Sequence, residues 1–415
     1  MKKEIIKKVN SCRVCKSKKL TKVLQFGQTP LANAFLTKDQ LDLPEAFYPL
    51  DVVFCENCSF LQLGHVVSPH ILFDKYVYVS STSPVFVSHF KKFAADIVSR
   101  FKLNKKSFVI DIGSNDGILL KPYKKAGIGV LGVEPAKYIA KIARNDGIST
   151  VTEFFSLDLA RRIVKTKGKA KIVTATNVFA HIDDLDEVIH GVKELLDKDG
   201  IFVLEVPYLI DFLKKKYFDL VYHEHLSYWA LKPLIRIFEQ FDMKIFDVQK
   251  VPVHGGSIRV FAAKKKASYS TKKSMEEYLQ KEKYMNLTNI NTYIDFAKEV
   301  LRNKAKLITL LVKLKMDNKR IVGYGAPAKG NTILNYFKIG ADILDYIIDD
   351  SPFKQGLYTP GTHIPVVSSS KLKTDHPDYI LILAWNFAQS IMEKYNWFKA
   401  GGGKFILPVP GSLIV

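Results

Sequence analysis

The stretch 107–120, SFVIDIGSNDGILL, decides the fold. A short apolar run, a turn with two glycines and an apolar restart read as strand, tight turn and helix start. A second strand, GVLGVEPA at 129–136, ends in Glu134, 21 positions after Gly113. At that spacing a carboxylate meets ribose hydroxyls in doubly wound sheets. Further strands follow at KIVTATN (171–177), GIFVLEVPY (200–208) and SIRVFAAKK (257–265), separated by helical stretches such as DEVIHGVKELLDK. HIDDLDEV (181–188) opens one of these helices with Asp183 or Asp184 as its cap. The alternation predicts a parallel, Rossmann-like α/β sheet.

The chemistry of the first turn selects its ligand. GSNDG is not the GxGxxG of dinucleotide sites, and it carries Asp116 with Asp111 just before it. A pyrophosphate needs bare backbone N–H groups and no negative charge. S-adenosylmethionine carries a sulfonium and an ammonium and no phosphate, so acids suit it. The candidate cofactor contacts are Asp111, Gly113, Asn115, Asp116, Gly117, Glu134 and Asn177. The plainer reading is an α/β turn that uses glycine for backbone reasons alone.

A second unit of the same pattern lies at 320–337, RIVGYGAPAKGNTILNYF, followed by strands LDYIIDD (344–350), YILILAW (379–385) and KFILPV (404–409). This turn has no acid and one base, Lys329, among Gly323, Gly325 and Gly330. That is the opposite electrostatic design, and it predicts a phosphate-bearing ligand. An NAD site is the rival, although the third glycine is off spacing; packing alone is another. Between the units, 266–318 has helical spacing of apolar residues with a polar turn, NLTNINT, in the middle. The expected organisation is a zinc-binding module (1–75), a methyltransferase domain (76–265), a helical connector (266–318) and a C-terminal Rossmann-like domain (319–415).

Cys12, Cys15, Cys55 and Cys58 are the four cysteines, in two CxxC pairs 39 residues apart. Two such knuckles complete a tetrahedral, closed sulfur site for a structural Zn²⁺; a redox CxxC is the alternative. At 415 residues, 47 % hydrophobic and 25 % charged, the chain is long enough for two or three folded domains. It has no apolar run of membrane-spanning length and no recognisable signal peptide, so a cytoplasmic protein is expected. The net charge of +21 is mostly scattered Lys, which fits a solvated surface as well as a nucleic-acid partner.

The stretch 219–229, DLVYHEHLSYW, follows the GIFVLEVPY strand and falls at the sheet edge where α/β sites gather. In a tight turn or short helix Tyr222 and His225 come to one side. His is the natural proton carrier near neutral pH, and Glu224 is placed to fix its tautomer or hold substrate hydroxyls. The bland alternative is a capped helix start with satisfied histidines; metal binding by HEH lacks a third ligand. His181 at another strand end and Tyr76 in FDKYVYVSSTS are further candidates for the same pocket.

Taken in order, CRVC with PLANAF, YPLDVVFCENCSFLQL, FDKYVYVSSTS, IDIGSNDGILL, GVEPA, NVFAHIDDL, EVPYL, VYHEHLSYW, HGGSIRV and GYGAPAKGNTILNYF with IDDSPFKQG span essentially the whole chain. The ordered set resembles the S-adenosylmethionine-dependent sugar 3-C-methyltransferases of deoxysugar biosynthesis. The resemblance implies a zinc-binding N-terminal domain, a methyltransferase core and a second Rossmann-like domain, with a nucleotide-linked 4-keto deoxysugar as substrate. It implies active-site roles for Tyr76, His181, Tyr222, Glu224 and His225, with His225 as general base. Lys329, Asn331 and Arg259 are the expected substrate contacts. The rival functions are a nucleic-acid methyltransferase, an NAD-dependent sugar oxidoreductase and a non-catalytic scaffold.

Overall fold

The computed structural model describes residues 5–73, 79–409, 411 and 413–415. Residues 74–78, and with them Tyr76, lie outside the described set.

The N-terminal module is built on a long hairpin, β2 (Leu20–Thr29) against β3 (Tyr48–Cys55), beside a short β1 (Ile6–Lys8). β4 (Leu61–Leu63) extends the hairpin and β5 (His65–Val67) pairs with β1. The two CxxC knuckles have the same geometry. The N–H of Lys16 donates to Cys12 O and that of Ser59 to Cys55 O, at 2.9 and 2.8 Å. Lys16 and Ser59 both sit in the left-handed region, at φ 61° and 62°, which turns each knuckle back on itself.

The central domain is a seven-stranded sheet of β6 (Phe108–Ile112), β7 (Gly129–Val133), β8 (Thr150–Val151), β9 (Ala170–Thr176), β10 (Leu196–Pro207), β12 (Met243–Val251) and β13 (Ser257–Lys264). Its order is β12-β13-β10-β9-β6-β7-β8. The expected parallel pairing holds from β8 through β10. β13 runs antiparallel to both neighbours, because the short turn through Pro252–Gly256 returns it beside β12 as a hairpin. Both faces are covered, so the strands are apolar almost throughout. Along β6, Val109 packs toward the helix Pro84–Arg100 with Phe90, Phe93 and Ile97, while Ile110 packs into the core on the other face. β11 (Ser227–Tyr228) leaves this domain and pairs with β4, joining the N-terminal sheet.

Helices Lys273–Tyr284 and Ile290–Met316 occupy the stretch predicted to be helical. The second is 27 residues long, roughly 40 Å. Its Tyr293 ring lies 4.9 Å from Phe54 in the N-terminal module, its Phe296 ring 5.0 Å from Phe212, and Asn303 donates to the carbonyl of Pro408. One helix therefore touches all three domains.

The C-terminal sheet is β14 (Ile321–Tyr324), β15 (Ile347–Ile348), β16 (Val366–Val367), β17 (Tyr379–Ile382), β18 (Lys404–Leu407) and β19 (Leu413–Ile414), in the order β16-β15-β14-β17-β18-β19. It is parallel except for β19. Gly325, at φ 82°, turns the chain from β14 toward the helix Ala328–Phe337, and a Cβ there would meet Ala384 Cβ at 2.5 Å. The helix packs between the loop 30–36 and the segment 218–222: Asn331 donates to Ala32 O at 2.7 Å and Thr332 to Val221 O at 3.2 Å.

Candidate active site

The quoted segment 219–229 folds as a turn at the meeting point of the three domains. The N–H of His225 donates to Tyr222 O at 2.9 Å, so the two side chains lie on one side, ring centroids 4.0 Å apart. Both are half-buried, whereas His223 and Glu224 between them point inward and are buried. His225 Nδ1 lies 2.8 Å from the carbonyl of Leu220, which fixes the proton on Nδ1. Nε2 is then the basic nitrogen, and it accepts the Tyr222 hydroxyl at 2.7 Å. The inner side of the ring faces an apolar cavity of about 20 Å³ lined by Ala180, Leu209, Phe212 and Trp229.

His181 stands 5.0 Å from His225, ring to ring. Burial draws its pKa down to about 4, so it is neutral at ordinary pH and able to donate one hydrogen bond without carrying charge. Its backbone N–H donates to Val178 O, and Val178 lies directly on Gly113, where a Cβ would come within 2.3 Å of Val178 Cγ2. The strand-end segment 177–181 thus runs from the Gly-rich turn to the His225 ring. Glu224 is 5 % exposed, and burial pushes its carboxyl up to about 7. Its Oε1 accepts a 2.6 Å hydrogen bond from Asn33, a residue of the PLANAF segment. Arg13, inside the first knuckle, is buried and donates to Asp183 in the turn that carries His181.

The Gly-rich turn assembles the expected donor-site residues. Gly113 and Gly117 have φ of 67° and 77°, and Asn115 and Asn177 are left-handed at 48° and 58°. Glu134 accepts the backbone N–H of Asn115 at 3.0 Å and of Ala136 at 2.9 Å. Burial pushes Asp111 up to about 7, opposed by the Thr174 hydroxyl at 2.5 Å. Among the described residues, Asp116 and the side-chain oxygens of Ser114 and Asn177 are buried without hydrogen-bond partners. Three acids and unsatisfied acceptors, gathered from the ends of β6, β7 and β9 and the turn itself, fit a cationic, phosphate-free cofactor and repel a pyrophosphate.

The substrate candidates do not converge. Asn331 is buried against Ala32 beside Tyr222. Lys329 donates to Asn386 and lies over the Trp385 ring at 4.2 Å, near the buried Asp219, whose carboxylate accepts the Trp385 indole N–H. Burial draws Lys329 down to about 8. Asp349, one of the acids that close LDYIIDD 24 positions after Gly325, accepts the N–H of Ala326 at 2.7 Å. Arg259 is paired within the central sheet. Its guanidinium donates to Glu205 at 3.0 and 3.1 Å and covers the Phe93 ring under the helix Pro84–Arg100, away from Lys329 and Asn331. Burial alone would raise the Glu205 carboxyl, but His89 and Arg259 outweigh it and hold it below its ordinary value.

The four cysteine sulfurs lie within 4.8 Å of one another. Tetrahedral thiolates on one Zn²⁺ stand about 3.8 Å apart. Hydrogen bonding from Cys58 draws Cys12 down to about 5, whereas burial pushes Cys55 up to about 11. Four thiolates cannot share this space without a cation, so the set fits zinc.

Fold and loop chemistry together define an S-adenosylmethionine-dependent methyltransferase with a zinc-binding module. Family models match in three consecutive blocks: a zinc binding domain over residues 12–73, a methyltransferase domain over 86–248 and a C-methyltransferase C-terminal domain over 252–410. C-methyltransferase NovU of Streptomyces niveus is 36 % identical over 412 residues, covering 99 % of this chain and 98 % of that protein. The chain belongs to this C-methyltransferase family. A ubiquinone biosynthesis O-methyltransferase of Pelagibacter ubique is 23 % identical over 37 % of this chain and 65 % of its own length. Magnesium protoporphyrin IX methyltransferase of Synechocystis, solved with bound SAH, covers 47 % of this chain and 91 % of its own at 16 % identity and a TM-score of 0.35. No helix among the described residues is long and apolar enough to cross a membrane.

Proposed function

We propose that this C-methyltransferase methylates carbon 3 of a nucleotide-linked 4-keto deoxysugar, with His225 as the base that generates an enolate. The observation that carries the reading is the chain Tyr222 hydroxyl, His225 Nε2, His225 Nδ1, Leu220 carbonyl, at 2.7 and 2.8 Å. It presents one basic imidazole nitrogen beside a phenol, joined through His181 and Val178 to the Gly-rich turn. A C–H next to a ketone is acidic enough for a positioned imidazole.

S-adenosylmethionine, when bound, supplies an electrophilic methyl group. Asp111, Asp116, Glu134 and Asn177 would hold it, with Gly113 and Gly117 leaving room. His225 Nε2 takes the proton from carbon 3, and the bonding pair becomes the carbon–carbon π bond of the enolate. The Tyr222 hydroxyl exchanges its acceptor from Nε2 to the developing enolate oxygen, where a donor is worth most. Neutral His181 supplies a second donor to the same region, and Glu224 meets the sugar hydroxyls. Asn331 and Lys329 are the chain's contacts toward the nucleotide side.

Methyl transfer to a keto-sugar nucleotide panel, followed by mass spectrometry with a labelled methyl donor, tests the reading. His225→Ala is expected to lose roughly 10²–10⁴-fold in kcat, and Tyr222→Phe about 10–100-fold. Activity of His225→Ala within a few-fold of the parent would remove His225 from the base role. With S-adenosylhomocysteine in place of the methyl donor, absence of deuterium exchange at carbon 3 in D2O would remove the enolate.

A further inference from the structure

We propose that Asn33, contributed by the zinc-binding module, is a positioning residue for the candidate site: its amide orients Glu224 and sets the pH at which that carboxyl changes charge. The geometry is specific. Asn33 Nδ2 donates to Glu224 Oε1 at 2.6 Å across 191 residues of sequence. The loop bearing Asn33 is pinned on both sides by the C-terminal domain. Ala32 O accepts from Asn331 at 2.7 Å, and Leu36 exchanges backbone hydrogen bonds with Tyr358 at 3.0 and 2.8 Å. Asn33 therefore cannot follow Glu224 if that side chain swings, and it holds the carboxyl in one orientation.

The electrostatics follow from what an amide can do. An N–H donor stabilises a carboxylate over a carboxylic acid. Tyr222, His223 and His225 share its turn and the His181 ring bonds to its backbone; among the described residues no charged Lys, Arg or second acid shifts its carboxyl. Burial favours the neutral form and Asn33 opposes it. Without the amide, burial acts unopposed and the carboxyl titrates at higher pH.

The test uses the full-length, zinc-loaded protein labelled with [¹³Cδ]glutamate, with Glu224→Gln to assign the resonance. In Asn33→Leu, similar in volume but without a donor, the Glu224 midpoint is expected to rise by about one pH unit. In Asn33→Asp a carboxyl replaces the donor, and the midpoint is expected to rise further. A midpoint unchanged within a few tenths of a unit in either folded variant overturns the proposal. The near-ultraviolet spectrum and zinc content report folding, and Asn33→Asp keeps the test available if the leucine variant fails to fold.

The proposal borrows from the functional reading only that Glu224 belongs to the site, and the two fail separately. If the parent methylates no keto-sugar nucleotide, the functional reading falls while the NMR midpoint still decides Asn33. If the parent is active and the kcat/KM profile of Asn33→Leu keeps the parent's limb, the Asn33 assignment falls alone.

Discussion

Glu224 shows at the level of a single residue how burial sets chemistry. With a folded-state pKa near 7 and an unfolded value near 4.3, the folded protein binds the extra proton between those limits. Its contribution to stability is present below the unfolded value and is lost as pH rises through the folded one. Glu224→Gln removes that dependence. Between pH 5.5 and 8 the stability of the variant relative to the parent is expected to grow by about 2 kcal/mol, measured by urea denaturation. Asp111 has the same sign but is common to both proteins, so it cancels from the difference. A gap that stays constant with pH would mean that Glu224 is not held neutral. The pairing of Tyr222 with His225 was legible in the sequence because i and i+3 on a turn is a local rule. Asn33 was not, since nothing in PLANAF signals a partner 191 residues away.

At the level of elements, the junction of β6 and its helix is the sensitive point. Gly113 has φ 67° and lies against Val178. Gly113→Ala is expected to cost about 3 kcal/mol, from left-handed strain and from the clash together. Adding Val178→Ala should return the clash component and leave about 1 kcal/mol of strain. Calorimetric titration with S-adenosylmethionine should show weakened binding in the single variant. A double variant no more stable than the single one would show that Val178 does not set the approach. A second junction is the helix Leu231–Gln240, whose N-cap Ala230 offers no side-chain acceptor. Glu282, from the helix Lys273–Tyr284, takes its place and accepts from Leu231 N at 2.5 Å and Lys232 N at 3.0 Å. Glu282→Ala should lower stability by about 2 kcal/mol in thermal or urea melts. The strand-turn-helix units were readable from periodicity and glycine placement. The reversal of β13 was not, because a buried strand reads the same in either direction. The acids that close LDYIIDD were in view, but the bond from Asp349 to Ala326 was not, since the carboxylate arrives from the neighbouring strand.

For the whole molecule, zinc and site should be lost together. The strand β11 begins two residues after His225 and pairs with β4, which lies directly after the second knuckle. In Cys12→Ser/Cys58→Ser the metal content measured by atomic spectrometry should fall from about one per chain toward zero. Methyl transfer should fall with it. Retention of most activity in a metal-free protein would show that the knuckles and the turn are independent. The net charge of +21 left a nucleic-acid partner open in the sequence. The Gly-rich turn would serve the same cofactor with either acceptor; on the proposed sugar-nucleotide reading, filter binding at two salt concentrations should show no salt-sensitive retention of RNA or DNA. The two cysteine knuckles and the two Gly-rich units were visible because each is a short-range pattern. The site was less so, because it draws on all three modules and its contacts join distant stretches of chain.

The pairing of β4 with Ser227 and Tyr228 also bears on how the chain matures during synthesis. A nascent chain emerging from the ribosome exposes the open edge of β4 until the residues of β11 have been made, and an unpaired edge invites the wrong neighbour. The earliest domain thus waits on one of the latest parts of the next, and refolding should be slow, with closure of the two sheets arriving in a single late phase.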